Sequence, residues 1–126
     1  MKIPLSLALA GMLVIFSTQA RADINYKQYL ELSHQKESGR TKYGFGALTL
    51  DYWLDGAATG ISWAYAAEPG RTGKTFCLPV NLAVTGEVVG SAIKQLLEQR
   101  PDLKKDDSRM GAVTILAIQT AFPCPK

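Results

Sequence analysis

The sequence predicts an all-α protein, a small disulfide-stapled bundle of about four helices. Three observations carry that expectation. Apolar residues recur at helical spacing in the C-terminal half, most clearly at Val88, Val89, Ala92, Ile93, Leu96 and Leu97. Their advance of one, three, one, three and one builds two adjacent rows on one helical face. The two cysteines of the chain, Cys77 and Cys124, stand outside the last two helical patterns, each close to a proline. The N-terminus has the layout of an export signal, which sets the redox surroundings of those cysteines.

Lys2 precedes an apolar run, Ile3 to Phe16, and the run is followed by Ala20-Arg21-Ala22. A basic start, an apolar middle and a small-residue cleavage signature make a secretory signal peptide. The run is shorter than the roughly 20 residues a membrane span needs, so no span is expected after signal removal. Residues 1–22 are therefore read as the signal and 23–126 as a single helical domain, placed in the periplasm, where disulfides persist. The whole chain carries 14 Lys+Arg and 11 Asp+Glu, a formal +3. Lys2 and Arg21 leave with the signal, so the mature balance is 12 against 11, or +1. With no concentrated basic patch, nucleic acid is not an expected partner. A domain this small gains materially from a crosslink or from self-association.

Residues 23–39 read as a short amphipathic helix, with Asp23 as its cap and Ile24, Tyr26, Tyr29, Leu30 and Leu32 as apolar contacts. Gly39 ends the pattern, and His34, the one histidine, falls at its polar end. Residues 41–67 form a longer aromatic segment with Thr41 as cap. Leu48, Tyr52 or Trp53, Ala57, Gly60 or Ile61, and Ala64 are its expected inner stripe. Its glycines each weaken a helix by up to about 1 kcal/mol. Gly56 and Gly60, four apart, give a smooth face for a neighbouring helix, either in a homodimer contact or within the chain. The third helix begins after Thr85, with Glu87 in its first turn, and stops at Pro101. A polar connection leads to the last helix, starting at Asp107 or Ser108 and ending before Pro123. Met110, Val113, Leu116 or Ala117, and Thr120 or Ala121 form its expected inner face, widened by Ile115 and Ile118.

The residues suggest no catalytic apparatus. Asp51 and Asp55 share a helix face, but no histidine or third carboxylate at ligand spacing accompanies them, so a solvated pair is expected and no metal or cofactor. Residues 70–75, GRTGKT, lack the phosphate-loop glycine, because Glu68 stands where it belongs. The chain is read as a non-enzyme.

Two antiparallel helices after Cys77 and before Cys124 bring the cysteines together. On the chain-entropy account, closing a loop of this size is worth about 4 kcal/mol. Spacing far from Cys-x-x-Cys points to a structural bond and away from a redox-active pair.

The Trp/Tyr-rich segment from Tyr52-Trp53-Leu54-Asp55-Gly56 to Tyr65, the Phe76-Cys77-Leu78-Pro79 run, the Leu96-Leu97…Pro101 helix end and the closing Ala121-Phe122-Pro123-Cys124 resemble the Tai/Rap-type immunity protein family of bacterial type VI secretion systems. The resemblance covers residues 41–124. It implies an all-helical, often dimeric periplasmic protein carrying the corresponding disulfide, which binds and inhibits a peptidoglycan amidase effector by occluding its active site. Polar loops on rigid scaffolds commonly bind partners. Two such loops are expected contact segments, residues 68–75 and 100–108. The second is favoured, with Asp102, Lys104, Lys105, Asp106, Asp107 and the adjacent Arg109 as its mixed-charge side chains. The alternative is a general periplasmic stress or chaperone-like binding protein, which would expose a broad apolar groove.

Overall fold

A computed structural model describes residues 23–37, 45–67 and 75–126. Among these the chain forms four α-helices: α1 (Tyr26–Glu37), α2 (Phe45–Ala67), α3 (Gly86–Gln99) and α4 (Met110–Ala121), with a 3-10 turn at Pro101–Leu103 between the last two. No strand occurs among the described residues, and one isolated antiparallel bridge joins Asn25 to Arg109. None of the described helices is long and apolar enough to cross a membrane.

The apolar rows of α3 occupy the centre of the bundle. Val89 and Ile93 have no solvent exposure, and Ala92, Leu96 and Leu97 are buried beside them. Val88, at the row's edge, is half-buried. Thr85 caps the helix as expected, its hydroxyl accepting from the Val88 amide at 3.3 Å. Pro101 disfavours helical geometry at Arg100, and the chain leaves α3 there with the Arg100 amide closing on the Leu96 carbonyl at 2.8 Å.

α4 supplies Met110, Val113, Ala117 and Ile118 to the same core. Full burial of a residue of this size contributes roughly 1.5–3 kcal/mol. Thr114 is buried as well, and its hydroxyl donates to the Met110 carbonyl at 2.7 Å, so the helix absorbs its own polar atom. Three details differ from expectation. The helix starts at Met110, Thr120 and Ala121 are exposed, and Ile115 is 45 % exposed.

α2 differs most. Its buried stripe is Leu50, Leu54, Ala58 and Ile61, which advances by four, four and three. The expected stripe through Tyr52 or Trp53, Ala57 and Gly60 is rotated away from the core. Tyr52 and Gly60 are exposed, Trp53 and Ala57 half-buried. Of the expected inner residues whose side chains are described, only Ile61 is buried. A helix apolar on nearly every side carries no strong periodic signal, so packing against α3 decides its rotation. The expected cap Thr41 and the side chain of Leu48 lie outside the described residues.

At α1 the cap is Asn25 and not Asp23. The Gln28 amide donates to Asn25 Oδ1 at 2.8 Å and the Asn25 amide to Gln28 Oε1 at 3.0 Å, a reciprocal capping box. Ile24, Tyr26, Tyr29 and Leu32 pack against the core, while Leu30 is 39 % exposed. Burial pushes the Tyr29 phenol above its ordinary pKa.

The disulfide is formed. Cys77 and Cys124 are joined with their Cα atoms 4.8 Å apart, and the Cys77 amide donates to the Phe122 carbonyl at 2.8 Å. Phe122 and Ala121 line the same cleft as Leu82, Glu87 and Val88, so the end of α4 returns to the beginning of α3. The staple therefore ties the entry of one core helix to the exit of the other.

Candidate functional site

The connection between α3 and α4 is an exposed surface on a pinned backbone. Asp102, Lys104, Lys105, Asp106, Asp107 and Arg109 are all exposed, as the mixed-charge reading requires. Beneath them Leu103 packs on the core. The turn closes on itself through Leu103 N–H to Arg100 O at 3.0 Å, Lys104 N–H to Pro101 O at 3.1 Å and Ser108 N–H to Lys105 O at 2.9 Å. Residues 24–27 then clamp it from behind. Tyr26 N–H donates to Ser108 O at 2.9 Å, Lys27 N–H to Asp106 O at 3.4 Å, and Met110 N–H to Ile24 O at 2.9 Å.

Asp23 completes this clamp. Its Oδ1 accepts from the Gly111 amide at 2.8 Å, so it caps α4, a helix whose own preceding residue Arg109 provides no side-chain cap. A carboxylate at that helix end also meets the positive pole of the helix dipole. The two residues are 88 positions apart, a contact that no local pattern signals.

Arg100 and Asp102 form one exposed pair, guanidinium Nε and Nη2 donating to the two carboxylate oxygens at 2.9 and 2.7 Å. Those hydrogen bonds hold the Asp102 carboxyl below the usual carboxylate range. Such a pair presents a fixed, locally neutral feature at one end of the segment. Lys104, Lys105 and Arg109 remain as cations beside the carboxylates of Asp106 and Asp107. The other expected contact segment, residues 68–75, lies outside the described residues except for Thr75.

Gly56 and Gly60 behave alike and unlike the glycines of α3. A Cβ built on either would meet nothing within 4 Å, so they make no close helix contact among the described residues. That role belongs to Gly86 and Gly90. A Cβ at Gly86 would run into Asp55 Oδ1 and lie 3.1 Å from the Asp55 amide nitrogen; one at Gly90 would touch Leu54 Cδ1 at 3.4 Å. These glycines let α3 approach α2 closely. Their four-residue spacing equals that of Gly56 and Gly60, so spacing alone could not tell which pair packs internally.

Around Gly56 and Gly60 the surface is apolar. A groove of about 360 Å³ runs between α2 and α4, lined by Trp53, Ala57, Gly60, Ile61, Ala64, Phe76, Gly111, Thr114 and Ile115. It continues past Tyr52, Gly56 and Ala112. Tyr65 and Phe76 stack with ring centroids 5.6 Å apart.

The acid pair sits elsewhere, in a cleft of about 540 Å³ between α1, α2 and α3. Asp51 pairs with Lys36 at 2.6 Å, both half-exposed, and Asp55 faces Gly86. No group of three or more potential metal ligands occurs among the described residues. His34 is exposed on α1.

Comparisons with protein-family models, curated proteins and solved structures return no match to this chain.

Proposed function

We propose that this protein is a periplasmic immunity protein that binds a type VI secretion peptidoglycan amidase effector and occludes its active site. The sequence resemblance to the Tai/Rap-type family motivates the reading. The observation that carries it is the exposed, mixed-charge segment 100–109 on a backbone pinned by residues 24–27. A loop held in one shape enters a cleft without the ordering cost that weakens flexible binders. Lys104, Lys105 and Arg109 would contact acidic groups at the rim of the enzyme's cleft, and Asp106 and Asp107 basic ones. The protein needs no cofactor and performs no chemistry in this role.

Periplasmic pull-down with a co-encoded amidase tests the reading, followed by inhibition of peptidoglycan hydrolysis in vitro. Stable binding that is lost in Lys104→Glu/Lys105→Glu supports it. An amidase that neither binds nor is neutralised removes this function.

A general stress or chaperone-like binding protein is the second reading, favoured by the apolar groove between α2 and α4. It predicts weak capture of many unfolded clients, where the immunity reading predicts tight capture of one enzyme.

A further inference from the structure

Residues 75–85, TFCLPVNLAVT, carry no charged side chain and form neither helix nor strand. Their backbone is nevertheless held at several points. The disulfide ties Cys77 to Cys124, the Cys77 amide donates to the Phe122 carbonyl at 2.8 Å, and the Tyr65 hydroxyl donates to the Leu78 carbonyl at 3.5 Å. The segment then turns back on itself. Leu82 N–H donates to Pro79 O at 3.1 Å, with Val80 and Asn81 as the two central residues. Leu82, on the far side of the turn, lines the cleft that Val88 and Phe122 also line.

Val80 at the tip is 88 % exposed, more than any other large apolar side chain among the described residues. Single exposed apolar residues are common on protein surfaces. This one stands out by its place. Turns favour Gly, Pro, Asn, Asp and Ser for their backbone and hydrogen-bonding properties; Asn81 fits that chemistry and Val80 does not. Pro79, Asn81 and Ala83 are exposed around it, so the valine tops a surface without charge. A β-branched side chain has little rotamer freedom to lose. On a held backbone it is ordered before any contact forms, which lowers the entropy cost of binding.

We infer that Val80 is the apolar anchor of the contact with the amidase effector, seated in a shallow apolar pocket of that enzyme, an inference that rests on the amidase reading. The turn lies before the entry of α3 and segment 100–109 at its exit. Fourteen helical residues stand between them, roughly 21 Å at 1.5 Å per residue. Glu87, Ser91, Lys94, Gln95 and Glu98 are exposed along that length. A standard interface takes about 800 Å² from each partner, roughly 30 Å across, so one enzyme can span both ends of α3. The two turns then differ in role. The charged one attracts and orients the enzyme, and the valine supplies the desolvated apolar contact that the charged one lacks.

Calorimetry and binding kinetics with the co-encoded amidase test the anchor on the exported, disulfide-bonded protein. Val80→Asp and Val80→Lys are each expected to weaken binding at least tenfold, mainly through faster dissociation, because either charge must enter an apolar pocket. Lys104→Glu/Lys105→Glu instead slows association and changes its salt dependence. A side chain this exposed accepts these changes without loss of stability, so the melting temperature stays native. An enzyme that binds the native protein and both Val80 variants equally overturns the inference and leaves the amidase reading standing. Opposite effects of Val80→Asp and Val80→Lys also overturn it, since they would report charge and not burial. An enzyme that does not bind the native protein overturns both.

Discussion

The two exposed surfaces of this molecule are built in opposite ways. Segment 100–109 places seven charged side chains, four basic and three acidic, on a turn tied down by backbone hydrogen bonds. The α2–α4 face takes no charged side chain from α4, has the Asp23 carboxylate at its edge, and presents two exposed aromatic rings and glycines with open space above them. Charged rims steer and select a partner; uncharged aromatic surfaces stay exposed at the risk of non-specific association. The difference teaches that a bundle this small can carry a pinned, charged turn and an open, aromatic face at the same time. Both surfaces depend on α4, which supplies one wall of the groove and ends the charged turn, and α4 is held at both ends, by Asp23 and by the disulfide.

The largest effect is therefore expected at the staple. Cys77→Ser, or reduction, removes a closure worth about 4 kcal/mol on the chain-entropy account. Denaturant unfolding should show that loss, and both surfaces should fail together because they share α4. If binding by segment 100–109 survived in the reduced protein, the coupling through α4 would be wrong.

Next come the two glycine pairs, which separate internal packing from open surface. Gly86→Ala places a methyl against Asp55 and Leu54 and is expected to destabilise by about 1–3 kcal/mol, the usual range for overpacking. Gly56→Ala meets nothing and should stabilise the helix by up to about 1 kcal/mol, read by unfolding in dilute solution. Equal signs for the two would contradict the assignment of α2's faces.

Asp23→Ala removes the cap of α4 and is expected to lower stability by about 1 kcal/mol. Hydrogen exchange at Gly111 should accelerate while the amides of α3 are unaffected. Unchanged exchange there would mean that the clamp does not form in solution.

The smallest effect belongs to the Arg100–Asp102 pair. Its depressed carboxyl pKa contributes stability above the unfolded carboxylate range, and that contribution disappears as pH falls through the lower folded value. The pair is exposed and screened, so Asp102→Asn should leave the melting temperature at neutral pH unchanged within error. A clear drop would show that the turn relies on this pair more than on its backbone bonds.

How much could be read in the sequence follows from the same contrast. α3 was legible because its two adjacent apolar rows stand opposite Glu87, Lys94 and Glu98, which leave one rotation that buries the rows. The disulfide was legible because the chain has two cysteines and one export-like start. The rotation of α2 is not legible in the same way, because its aromatic residues favour the inner positions as strongly as its aliphatic ones do. Its smaller Leu50, Leu54, Ala58 and Ile61 stripe packs against α3, and Tyr52 and Trp63 are left outside. The glycine roles were hidden by identical spacing, and Asp23 by a contact closed only when the whole bundle forms. The charged turn was visible as composition, while the clamp behind it lies in backbone hydrogen bonds that composition does not encode.

Separation of the two surfaces is tested most directly by amidase binding to the Gly60→Arg variant, measured by calorimetry beside the native protein. Separate surfaces predict a well-folded variant that still binds the enzyme with undiminished affinity and one site per chain. Loss of enzyme binding in that well-folded variant would contradict it, and would assign the enzyme to the face on α2.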